Sequence, residues 1–135
     1  MIYKIVKAID FCYGHRLLNY EGKCRHLHGH NGLLEVELCS NALDSRGMVM
    51  DFADIRNVVK NWVDENLDHK MLLNREDPVA RTLVDLGEEV YLMEDNPTAE
   101  NIAKHIYEAI RTKGINIAKI KLWETASSYA SVSAE

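Results

Sequence analysis

The sequence predicts an α+β domain, an antiparallel sheet covered on one face by two main helices, with the elements in the order ββααββ. Three observations carry this. Segments that alternate apolar and polar residues lie towards both ends of the chain. Segments with the helical period lie between them, and no internal repeat or low-complexity stretch interrupts the 135 residues, so residues 1–135 read as one domain.

MIYKIVKAIDF alternates without the long apolar core or small-residue cleavage site of a signal peptide, and reads as a first strand from Ile2 to Phe11. A second strand begins near His28 and runs through LLEVELC, where Leu34, Val36 and Leu38 alternate with Glu35 and Glu37. After the turn NALDSRG, the segment ADIRNVVKNWVDEN places Ile55, Val58, Val59, Trp62 and Val63 on one helical face. Between Asn74 and Pro97 the pattern is less regular. DPVARTLVDLG predicts a short helix closed by Gly87, and EVYLM a short strand. NPTAENIAKHIYEAIRTKG predicts the second long helix, with Thr98 as N-cap, Glu100 in the first turn, a stripe of Ile102, Ile106 and Ile110, and Gly114 as the stop. In the strand INIAKIKLWET, Ala118, Ile120, Leu122 and Glu124 share one face, and SSYASVS adds a short last strand. Glu124 therefore ends an apolar row, where a carboxylate needs a dedicated partner.

Composition narrows the function. With 47% apolar and 27% charged residues, the chain is ordinary for a soluble globular protein. No apolar run approaches the roughly 18 residues of a membrane span. The net charge is −5 and no Lys/Arg cluster forms, so neither a membrane nor a nucleic acid is expected as partner. Cys12, Cys24 and Cys39 are an odd number without a CxxC pair, which predicts free thiols and a cytoplasmic location.

The chemistry gathers at CRHLHGH, residues 24 to 30. In an extended segment Cys24, His26, His28 and His30 share one face. HxH joined by His15, at the end of FCYGH, can supply three nitrogen ligands to zinc and leave a fourth position open. Cys24 either closes such a site as a fourth ligand or stays off the metal as a nucleophile or base. Asp68 and His69 are adjacent in LDH, where an aspartate can orient an imidazole, although neighbours on one chain often point apart. Arg16, Lys23 and Arg25 bracket the cluster and offer a local positive field to a phosphorylated ligand.

FxxxH, CxxxHGHN, GMVMDF, LDHxxLN, NPTAENIA and a late strand ending in WET, in that order along almost the whole chain, resemble the 6-pyruvoyltetrahydropterin synthase and 6-carboxytetrahydropterin synthase family. The resemblance implies the tunnelling fold (T-fold), with two strands before two helices and two after. It implies that His15, His28 and His30 bind zinc, that His26 does not, and that Cys24 is the proton-abstracting base. Asp68 and His69 form its relay, Glu124 grips the pterin ring, and Thr98 and Glu100 line the pterin pocket. It also implies a homo-oligomer, trimer or hexamer, with the pockets between subunits.

The implied substrate is the small molecule 7,8-dihydroneopterin triphosphate. Three residues separate Cys24 from HGH, as in the 6-carboxytetrahydropterin branch, a zinc-dependent lyase of queuosine-type deazapurine biosynthesis that releases acetaldehyde and triphosphate. The sister pyruvoyl branch, of the tetrahydrobiopterin-type pathway, eliminates triphosphate without losing acetaldehyde. The chain departs from the family pattern at Cys12 and Gly14, lacks the aromatic residue that commonly follows HN, and carries a longer insertion at about residues 75–96. A zinc hydrolase would need a motif such as HExxH, which is absent. A non-catalytic metal- or pterin-binding module would keep His15, His28, His30 and Glu124 but would not need Cys24, Asp68 and His69 together.

Overall fold

The N-terminal alternation continues past the apolar residues that reveal it. In the computed structural model, which describes residues 1–134, β1 spans Tyr3–His15. His15, expected just beyond the first strand, is its last residue. β1 pairs antiparallel with β2, His28–Ser40, from Tyr3 opposite Ser40 to His15 opposite His28. β5, Ile117–Thr125, lies antiparallel on the other side of β2, with Leu34 opposite Leu122, and β6, Ser128–Ser133, pairs antiparallel with β5.

Two short strands extend the sheet beyond β1. β3, Lys70–Asn74, and β4, Val90–Met93, both run parallel to their neighbours, giving the order β4-β3-β1-β2-β5-β6. The sheet is therefore mixed rather than wholly antiparallel, and β3 is an element the sequence pattern does not announce. Its Leu72 and Leu73 are both fully buried, as in strands of parallel sheets covered on two faces, so it lacks the period-two signal.

Helix α1, Phe52–Asn66, starts at Asp51, whose side chain accepts from the Ala53 N–H. The short α2, Val79–Asp85, is followed by Gly87 at φ +87°, the left-handed stop expected there. α3, Ala99–Arg111, is capped by Thr98, which accepts from the Asn101 N–H, and the chain turns out of it at Gly114, φ +89°. α1 and α3 lay Ile55, Val59 and Val63 and Ile102, Ile106 and Ile110 on the sheet face that carries Ile9, Phe11, Leu34, Val36, Ile120 and Leu122. Burying each such side chain contributes about 1.5–3 kcal/mol. Among the described residues no helix is long and apolar enough to cross a membrane.

Candidate metal centre

The inward rows of three neighbouring strands all turn polar at the same end of the sheet. On β1 the row runs Ile9, Phe11, Tyr13, His15; on β2, Leu34, Gly32, His30, His28; on β5, Ile120, Leu122, Glu124. The register then brings the ends together. One ligand atom each from His15, His28, His30 and Glu124 lies within 4.8 Å of all the others, and the three imidazole centroids are 4.5 to 5.1 Å apart.

Two rings are held so that Nε2 faces the cluster. His15 Nδ1 lies 2.7 Å from the Pro97 carbonyl oxygen and His28 Nδ1 lies 2.7 Å from that of His26. Since a carbonyl only accepts, both Nδ1 atoms carry the proton, which leaves the Nε2 lone pair free. Nε2 of His15 and of His30 is buried without a hydrogen-bond partner among the described residues. Burial lowers the pKa of His15, against the Pro97 hydrogen bond and the Glu124 charge, and burial likewise lowers that of His30. Neutral imidazole is the form that binds a metal, and with two buried nitrogens left unpartnered in a group of four ligand atoms, the residues present fit one.

Glu124, expected at the pterin, stands among the histidines, its Oε1 3.1 Å from His30 Nε2 and 3.9 Å from His15 Nε2. It also lines a groove of about 410 Å³ with Glu100, Thr125, Ser128 and Tyr129. Thr98, expected to line the pocket, caps α3 by accepting from the Asn101 N–H and immediately precedes Ala99 and Glu100, which line the groove. Burial, and then the Glu124 charge, raises the pKa of the Tyr13 hydroxyl far above its ordinary value.

Asp68 and His69 do point together. Asp68 Oδ2 lies 2.8 Å from His69 Nδ1, while Asp68 Oδ1 accepts from the Cys12 N–H at 2.9 Å and the His69 N–H donates to the Cys12 carbonyl at 2.7 Å. His69 takes φ +58°, a left-handed turn that lets adjacent side chains meet. Burial pushes the Asp68 carboxyl up, but hydrogen bonds from Cys12 and His69 outweigh it and leave the pKa below the ordinary value. The exposed His69 ring borders an open cleft of about 720 Å³ that also touches Cys12, His28, His30 and Asn31.

Cys24 and His26 do not join His28 and His30 at the cluster. Lys23–Arg25 forms a single 3-10 turn and β2 starts at His28, where the alternation predicts it, so Cys24 is not part of an extended run with the histidines. Cys24 is half-buried and free, and neither it nor His26 belongs to the cluster. The His26 backbone nevertheless orients the His28 ring. That carbonyl and the one of Pro97 are the functional groups sequence reasoning misses, because a main-chain acceptor has no residue signature. Arg16 is not a free cation for a phosphate: its guanidinium forms a two-pronged pair with buried Asp77, Nε to Oδ2 at 2.7 Å. With Asn96, whose side chain bonds both N–H and carbonyl of Leu18, this pair ties the 75–96 segment to the chain leaving β1.

Fold and site together define a one-sheet α+β domain with a three-histidine, one-carboxylate centre at a sheet end and an Asp–His pair beside the adjoining cleft. The family model for 6-pyruvoyl tetrahydropterin synthase matches residues 4–135, and the chain belongs to this family. It is 39% identical over 136 residues to 6-carboxy-5,6,7,8-tetrahydropterin synthase of Rickettsia felis, covering 96% of this chain and 99% of the relative. Against the enzyme of the same name from Aquifex aeolicus it is 32% identical, covering 96% and 97%. An uncharacterized protein from Wolinella succinogenes superposes with a TM-score of 0.87 at 32% identity, covering 100% of this chain and 99% of that one. Caenorhabditis elegans 6-pyruvoyl tetrahydropterin synthase shares the fold, with a TM-score of 0.75 at 21% identity and coverage of 100% and 97%.

Proposed function

We propose that the protein is a zinc-dependent 6-carboxy-5,6,7,8-tetrahydropterin synthase. It converts 7,8-dihydroneopterin triphosphate to 6-carboxytetrahydropterin with release of acetaldehyde and triphosphate, in cytoplasmic queuosine-type deazapurine biosynthesis. One observation carries the reading: ring nitrogens of His15, His28 and His30 lie within 4.8 Å of one another, with two rings fixed by backbone carbonyls, beside the cleft that a formed Asp68–His69 pair borders. The three-residue spacer and the relatives that carry this name over nearly the whole chain support the carboxy branch.

His15, His28 and His30 would hold the zinc, whose Lewis acidity makes the substrate's side-chain hydroxyls more acidic. Cys24, on its turn next to the metal-binding strand, takes the side-chain proton as thiolate. His69, held by Asp68 in one tautomer, donates or accepts a proton on the opposite side of the substrate. With the histidine lone pairs engaged, Glu124 accepts from the 2-amino and ring N–H groups of the pterin, and Glu100 shares its groove. That groove borders β6, the edge strand of the sheet, so a second copy would wall it, in keeping with a trimer or hexamer.

Zinc-loaded protein incubated with 7,8-dihydroneopterin triphosphate tests the reading by product mass. 6-Carboxytetrahydropterin with equimolar acetaldehyde is the expected result. A pyruvoyl product would move the protein to the sister branch, and pterin binding without turnover would make it a passive module.

A further inference from the structure

Three buried polar side-chain atoms lack a hydrogen-bond partner among the described residues: His15 Nε2, His30 Nε2 and the Tyr13 hydroxyl. A metal accounts for both nitrogens. It leaves the hydroxyl unexplained, and an unpaired buried hydroxyl is costly enough to require a purpose.

Tyr13 is 3% exposed and stands directly opposite His30 in the β1–β2 pairing. Its ring stacks on Phe11 at 5.3 Å, meets His15 edge-on at 5.3 Å and tilts against His30 at 5.6 Å. It leans across Gly32, where a Cβ would approach Tyr13 Cε1 to 3.1 Å, so the missing side chain leaves the ring its place. β2 pairs Leu33 with Trp123, the neighbour of Glu124, and besides burial the Glu124 charge acts on the Tyr13 hydroxyl. A phenylalanine would make all the ring contacts equally well, so the position of the hydroxyl is what needs explaining.

We propose that Tyr13 is a positioning residue whose hydroxyl donates to the Glu124 carboxylate once the three-histidine centre is loaded. Without a metal, Glu124 stands 3.1 Å from His30 Nε2. When His30 gives that nitrogen to a metal, the carboxylate takes the Tyr13 O–H as its donor. This fixes Glu124 whether the carboxylate then ligates the metal or meets the substrate, since ligating carboxylates also need such support. The inference rests on a metal occupying the centre and is independent of which pterin product forms.

The test compares wild type, Tyr13→Phe, Glu124→Gln and the double variant, each metal-free and zinc-loaded. The readouts are melting temperature and zinc affinity by chelator competition. Metal-free Tyr13→Phe is expected to melt at or above wild type, because it loses an unpaired hydroxyl. Zinc-loaded, it is expected to show a smaller zinc-induced rise and about tenfold weaker zinc binding. The double-variant cycle is expected to show coupling between Tyr13 and Glu124 in the zinc-loaded protein alone. Equal shifts with and without zinc, or coupling of the same size in both forms, would overturn the proposal and leave Tyr13 a packing residue. A wild type that takes up no zinc would overturn it together with the metal reading. Zinc-dependent coupling without pterin turnover would support it while defeating the proposed reaction.

Discussion

Along β1, β2 and β5 a single inward row is apolar and buried at one end and polar at the other, where His15 is buried and His28, His30 and Glu124 are half-buried. At the helix-covered end Leu34, Val36, Ile120 and Leu122 are fully enclosed and need nothing from outside the chain. At the other end His15 is enclosed almost as completely, at 2% exposure, yet its Nε2 has no partner. Burial contributes stability in the first region, whereas in the second it lowers the pKa of His15 and His30. One end supplies the fold, and the other gives up hydrogen bonds to supply a binding site.

This division predicts separable losses. His15→Ala is expected to abolish stoichiometric zinc while shifting the metal-free melting temperature much less than a core truncation does, as metal analysis and calorimetry would show. Equal loss of fold would break the comparison. Asp68→Asn is expected to keep zinc and lower turnover about 10²–10⁴-fold, because the His69 tautomer is no longer held. A variant that also lost zinc would join Asp68 to the metal end. Leu34→Ala, in the apolar half, is expected to cost about 3 kcal/mol in denaturant unfolding, with zinc still bound per folded molecule.

The smallest effect lies at Asp77, outside both regions. The Arg16 hydrogen bond holds its carboxyl below the ordinary value, against the opposing effect of burial. A depressed folded pKa stabilises above the unfolded value, about pH 4, and that stability is lost as pH falls through the folded value. Asp77→Asn is therefore expected to cost about 2 kcal/mol at neutral pH, with the gap to wild type closing in acid. Melting curves from pH 7 down to pH 3 check this, and a gap that widened in acid would contradict it.

The two regions also differ in how far the sequence reveals them. α3 is legible because Ile102, Ile106 and Ile110 repeat with the helical period between a Thr98 cap and a Gly114 stop, all local features. β3 is not, because two adjacent buried leucines erase the alternation. His28 and His30 are legible as HxH, and the inward aim of Glu124 follows from parity along β5. Its distance of 3.1 Å from His30 does not, since that depends on the register between β2 and β5. Local pattern likewise hides the 3-10 turn that carries Cys24, and the salt bridge that occupies Arg16.

The central claim is that three strand ends form the metal centre and that Cys24 stays off it. X-ray absorption of the zinc-loaded protein tests this most directly. Nitrogen and oxygen ligands alone, at about 2.0–2.1 Å, are the predicted result. A sulfur ligand at about 2.3 Å would make Cys24 part of the centre and contradict the account.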